Sequence, residues 1–200
     1  MLAAGLVGWS FVGPRIPMPW RVLAQAVGGG LLMLATSAGS GLTPPRLWSG
    51  LRVGLPTAAA ITTTVAASTA VPAVRAAMSA RDVPESPGGW LALHIPLGTV
   101  WAEEAAFRAA LPTAAGAFGP AGARLLQAVT FGLSHIADAR GAGAPVIPTV
   151  LVTGVAGWLL GWLADRSGSL AAPILVHLAI NEAGAVAVLA LRRRHLKPGQ

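Results

Sequence analysis

The 200-residue sequence contains no cysteine, which rules out disulfides, a thiolate nucleophile and any Cys-based metal site. It is also poor in charge: 10% of its residues are Asp, Glu, Lys or Arg, against 54% hydrophobic. A soluble domain carries about 25% charged residues, so this chain cannot cover itself with a solvated surface. Residues 22–45, 53–74, 86–102 and 141–164 hold no Asp, Glu, Lys or Arg. Each run is near the roughly 20 apolar residues that cross a bilayer as a helix. The reading is an all-α, multi-pass transmembrane bundle of about 6–8 helices.

Other absences narrow the reading. The N-terminal MLAAGLVGWSFVGPR has no basic segment before its apolar run, so it reads as a short first helix or re-entrant piece rather than a cleaved signal. The net charge of +7 is not a nucleic-acid signature. Arg15, Arg21, Arg46, Arg52, Arg75 and Arg81 stand singly between apolar runs, and the only cluster is RRRH at 192–195. That is the pattern of loop and flank charges under the positive-inside rule. It puts the C-terminal RRRHLK in the cytosol, within reach of anionic lipid, and the protein in the cell membrane. Thirteen Arg against one Lys suggests a GC-rich, bacterial genome. No internal repeat is visible.

Three parts are expected. Residues 1–85 form N-terminal transmembrane helices, 86–195 a catalytic helical core, and 196–200 a cytosolic tail. Small-residue spans fill the first part, with Gly, Ala, Ser and Thr that let helices approach closely in lipid. RDVPESPGG at 81–89 is the clearest polar break. After it come expected helices over 90–115, 121–137, 145–164 and 173–191, with a loop at 138–145.

Chemistry is concentrated after that break. TVWAEEAAFRAAL at 99–111 places Glu103, Glu104 and Arg108 inside an apolar helix, where an ionisable side chain is functional by default. Glu104 and Arg108 are i and i+4, so they share a face and can neutralise each other. Glu103 is turned about 100° away and has no cation at i+3 or i+4, which leaves its carboxylate for chemistry. His135 closes FGLSH at 131–135, with Asp138 three residues on as a candidate orienting partner. His177 and Asn181, again i and i+4, point one way from the last apolar helix. A carboxylate, two imidazoles and an amide supply a base, an acid or metal ligand, and donors for an oxyanion. The structural alternative is ion-pair and hydrogen-bond glue between helices. Rival chemistries lack their motifs. No HExxH occurs, and Ser134 and His135 are direct neighbours that would point apart on a helix, which disfavours a Ser–His dyad.

EEAAFR at 103–108, FGLSH at 131–135 and HLAIN at 177–181 match E-E-x-x-x-R, F-x-x-x-H and H-x-x-x-N. In this order they resemble the CPBP family of CAAX proteases and bacteriocin-processing enzymes, also called the ABI family, over roughly residues 86–190. The link GWLLGWLADRSGSLAAPILVH also resembles that family's. The resemblance implies an intramembrane active-site cavity and peptide-bond hydrolysis, similar to type II CAAX prenyl endopeptidases. It implies that Glu103 activates water with His135 assisting, that His177 and Asn181 stabilise the oxyanion, and that Glu104 and Arg108 support the site. Glu103, His135 and His177 could instead hold zinc with an open position, as in a metalloprotease; both options stand. Where the family's arginine is often followed by Gly, this chain has Ala109.

The expected function is therefore an intramembrane endopeptidase acting on a membrane-associated or lipid-tethered peptide or protein. The alternatives are a non-catalytic immunity or scaffold protein that keeps the pocket, and a small transporter or proton relay. Transport would predict a repeated half with broken helices, which the sequence does not show.

Overall fold

In the computed structural model, residues 1–18 and 20–195 are described, so the tail expected at 196–200 lies outside them. Among them the chain is helical and holds no strand. The helices are α1 (Leu2–Val12), α2 (Trp20–Thr36), α3 (Arg46–Ser68), α4 (Pro72–Ser79), α5 (residues 87–114), α6 (Gly119–Ser134), α7 (Ile136–Gly141), α8 (Val146–Ser167) and α9 (Ala171–His195).

Prolines and glycines set the limits. Pro72, Pro87 and Pro120 each stand in the first turn of a helix, where the missing N–H is no loss. Gly168 ends α8 in the left-handed conformation, with φ +65°, a position that favours a residue without Cβ. Helix α5 is wound i→i+5 over Trp90–Trp101 and again over Glu104–Ala110. Pro96 lies within the first of these stretches; it offers no N–H and crowds the carbonyl four residues before it, which suits a wider winding.

Two helices, Val146–Ser167 and Ala171–Arg193, are long and apolar enough to cross a membrane, with mean hydropathies of 1.8 and 2.0. A third span is possible by length if α3 and α4 count as one, although the chain bends by 94° between them. The all-α membrane architecture expected from the charge-free runs is what the chain adopts. Some boundaries differ. The helix expected over 121–137 stops at Ser134, and Asp138, expected in a loop, lies in α7. The polar break is shorter than expected, because α5 already begins at Pro87.

Small residues bring the helices together, as dispersion and backbone approach must do where lipid removes the hydrophobic drive. Gly29 of α2 lies against Ala102 and Ala105 of α5, and Gly50 and Gly54 of α3 lie against Ala171 and Ala172 of α9. On α8, Gly154, Gly157 and Gly161 face Gly132, Phe131 and Gln127 of α6. Any Cβ at Gly132 would stand 2.6 Å from the Val150 carbonyl oxygen. The loop after α2 docks on the α8–α9 turn. There Leu170 N–H donates to Ser40 O at 2.8 Å, and Ser169 Oγ donates to Gly41 O at 2.8 Å. Gly41, at φ +62°, has no room for a side chain against the Gly168 carbonyl. α5 packs against both α6 and α9, and those three carry the polar groups.

Candidate active site

α5 presents the two glutamates. Glu104 and Arg108 approach to 3.3 Å, Oε2 to Nε, with both side chains at 0% exposure. The contact is one of proximity: it is not aligned as a hydrogen bond, and none of the three guanidinium nitrogens has a hydrogen-bond partner. The guanidinium instead rests over the Phe131 ring, with Cζ 4.0 Å from the centroid. A cation over an aromatic face is attracted by the ring quadrupole.

From α9, His177 reaches between the two carboxylates. Its Nδ1 lies 2.7 Å from Glu104 Oε1, a short charge-assisted hydrogen bond. Its Nε2 lies 3.8 Å from Glu103 Oε2, an oxygen that makes no hydrogen bond within the protein. The four groups form one line: Arg108, Glu104, His177, Glu103. Glu104 fixes the imidazole by accepting a hydrogen bond from Nδ1–H, which turns Nε2 toward Glu103. Glu103 keeps 27% of its side chain exposed, although its Oε2 is buried, so one glutamate is sealed and the other is partly open. The sequence did not suggest that Glu104 would hold His177. Those residues are far apart in the chain, and only packing α5 on α9 brings them together.

α6 supplies His135 through the way it ends. The His135 N–H bonds the Gly132 carbonyl at 3.1 Å, leaving the Phe131 carbonyl without its helical donor. The His135 ring takes that place, Nδ1 to Phe131 O at 2.7 Å, and Ser134 Oγ donates to the same oxygen at 2.8 Å. A neutral His135 bonded in this way carries its proton on Nδ1 and its lone pair on Nε2. Of the candidates for orienting this ring, the backbone carbonyl rather than Asp138 bonds it. Ser134 Oγ lies 3.4 Å from His135 Nδ1, but with both groups donating to one carbonyl the histidine cannot act as the serine's base.

Asn181 Nδ2 donates to the His177 carbonyl at 3.3 Å on its own helix. The zinc set considered from the sequence is not assembled: among the described residues no three His, Asp or Glu side chains are grouped to hold a metal. The physical reason lies in the partners. His177 spends Nδ1 on Glu104 and turns Nε2 to Glu103, while His135 is in ion-pair range of neither glutamate.

Phe131 was legible as the first residue of the FxxxH motif but its contacts were not, and Gln127 had no signal in the sequence. Phe131 lies edge-on to His135 (centroids 4.6 Å apart), His177 (6.3 Å) and Phe107 (5.1 Å), so one ring adjoins both histidines of the site. Gln127, one turn before it, is fully buried and donates from Nε2 to the Gly157 carbonyl at 2.8 Å. Both share a helical face with His135 at i, i+4 and i+8; the Phe131 spacing was legible from the FxxxH motif, that of Gln127 was not. A cavity of about 370 Å³ opens on the Arg108 flank, where Thr113, Arg124, Gln127 and Asp165 line it. Glu103, His135 and His177 are not among its walls.

All of these residues fall within one stretch. The model of the family described as type II CAAX prenyl endopeptidase Rce1-like matches residues 85–183. Comparison with curated proteins and with solved structures gives no match. The matched stretch carries the EExxxR, FxxxH and HxxxN motifs on α5, α6 and α9. Residues 85–183 thus form an Rce1-like domain, which supports the CPBP family of CAAX-type intramembrane proteases as the one this domain represents.

Proposed function

We propose that the protein is an endopeptidase that hydrolyses a peptide bond of a membrane-associated or lipid-tethered peptide, with Glu103 as the base for the attacking water. The observation that carries this reading is the alignment of Glu104, His177 and Glu103: a sealed carboxylate orients an imidazole toward a second carboxylate that is partly open. That is the logic of a base held by a third group.

The steps follow from proton positions. Glu103 accepts a proton from water, and the oxygen bonds to the scissile carbonyl carbon, whose π electrons move to its oxygen. His135 Nε2, bearing a lone pair, accepts a hydrogen bond from the same water and aims it. The tetrahedral oxyanion is held by donors from α9: His177 as an imidazolium, giving Nε2–H while Nδ1–H stays on Glu104, and Asn181, which must release the His177 carbonyl to serve. Collapse of the oxyanion breaks the C–N bond, and the Glu103 carboxyl returns its proton to the leaving amine. Arg108 neutralises Glu104, so the site carries one free carboxylate rather than two. Among the described residues no ligand set for a metal is grouped here.

The test uses detergent-purified wild type and Glu103→Gln against a library of membrane-associated peptides, with metal content measured alongside. Cleavage by the wild type and its loss in the variant, at equal amounts of folded protein, is the expected result. If the wild type cleaves nothing, the binding or immunity reading takes its place.

A further inference from the structure

We propose that Phe131 is a positioning residue for this site, acting through its ring on His135 and Arg108; the proposal rests on the peptidase reading. Three observations converge on it. The ring lies 4.6 Å from the His135 imidazole at an interplanar angle of 66°, an edge-to-face arrangement of the favoured kind. Its own backbone carbonyl accepts the His135 Nδ1 proton at 2.7 Å. The opposite demand comes from α5, where the Arg108 guanidinium sits 4.0 Å over the ring centroid with no hydrogen bond of its own.

The ring and the carbonyl do different work. The carbonyl selects which nitrogen of His135 carries the proton. The ring removes the imidazole's freedom to swing off that carbonyl, so Nε2 stays the base nitrogen. On its other contacts, the ring holds a completely buried cation next to Glu104, 3.3 Å away. It thereby keeps Arg108 from turning to Glu103 and neutralising the wrong carboxylate. Phe131 touches no reacting atom, yet it sets which glutamate is free and which histidine nitrogen is basic. Its own place is fixed by Phe107 at 5.1 Å and by Gly157, where an added Cβ would come within 2.8 Å of the ring.

The experiment compares wild type with Phe131→Leu, which keeps an apolar side chain but no ring, and Phe131→Tyr, which restores the ring. Side-chain ¹⁵N spectra of histidine-labelled protein in detergent report the His135 tautomer, assigned by its loss in His135→Gln. Cleavage of a peptide found with the wild type gives kcat and KM. In the wild type His135 is expected as a single Nδ1–H tautomer. Phe131→Leu should show averaged nitrogens and a kcat lower by about tenfold or more at unchanged KM, and Phe131→Tyr should restore both. If Leu fails to accumulate, Phe131→Met, whose flexible chain fills irregular space, carries the same test. A wild-type tautomer and kcat in the Leu or Met variant would overturn the proposal, as would loss of folded protein in both, which marks a purely structural role. If the wild type cleaves no peptide, the peptidase reading fails, while the tautomer spectra still decide what Phe131 does.

Discussion

Glu103 and Glu104 are chain neighbours, yet one side chain is 27% exposed and the other 0%. Their one-residue offset puts them on different sides of α5, and the difference in burial follows. The closeness of Glu104 and Arg108 was legible from their i, i+4 spacing. The hold of Glu104 on His177 was not, because nothing in the spacing relates α5 to α9. The pair predicts a specific stability pattern. Arg108→Leu leaves Glu104 buried without its cation, and breaking such a pair costs about 3–5 kcal/mol. Thermal unfolding in detergent should show that loss. The double variant Glu104→Gln with Arg108→Leu should recover part of it, since no buried charge is then left alone. If the double variant is no more stable than Arg108→Leu, the pair is not what the helix depends on. Glu103→Gln, by contrast, should leave the melting temperature unchanged.

At the scale of elements, the α6–α8 seam decides where Phe131 and Gln127 stand. The glycines of α8 were visible in the sequence as small residues suited to close helix approach. Which helix they would face was not. A Cβ at Gly157 would meet the Phe131 ring at 2.8 Å, whereas at Gly154 the nearest atom is 3.6 Å away. Gly157→Ala should therefore displace the ring, costing about 1–3 kcal/mol and most of the cleavage activity. Gly154→Ala should leave both intact, and melting curves with peptide turnover for the two variants check the contrast. The break at His135 is a second element-scale fact. The sequence reading carried the helix through to Ala137, but α6 stops at Ser134 and frees a carbonyl that orients the histidine.

Across the whole molecule, the domain extends its support beyond the matched residues. Leu6 of α1 packs in one cluster with Phe107, Leu111 and Phe131, so the N-terminal helix buttresses the site from outside residues 85–183. Leu6→Ala should destabilise the protein by about 2–5 kcal/mol and lower turnover, measured on the same purified sample. The ends of the bundle also make a testable statement. Arg192 Nη1 donates to the Arg81 carbonyl at 2.9 Å, which puts the C-terminal end of α9 beside the loop that runs from α4 to α5. Residue 117 follows the opposite end of α5. Because the chain has no cysteine, single cysteines placed by Glu85→Cys, Arg193→Cys and Ala117→Cys give an unambiguous labelling test. Glu85→Cys and Arg193→Cys should react with a membrane-impermeant maleimide from the cytosolic side, and Ala117→Cys from the other. Labelling of Glu85→Cys and Arg193→Cys from different sides would refute the packing; labelling of both from outside would reverse the orientation.

The amino-acid order alone determined the class of this molecule. Scarce charge and long apolar runs leave an all-α membrane bundle as the arrangement that satisfies every backbone group in lipid. The order also marked which side chains are too costly to be there by accident, and three short motifs identified their family. Tertiary structure decided the partnerships. Helical periodicity fixes neighbours one turn apart on the same helix, so Glu104 with Arg108 could be read in advance. It says nothing of which helix lies opposite, so the bridge of His177 to both glutamates, the cradle of Phe131 under Arg108 and the dispersed zinc candidates emerged only once α5, α6 and α9 were packed.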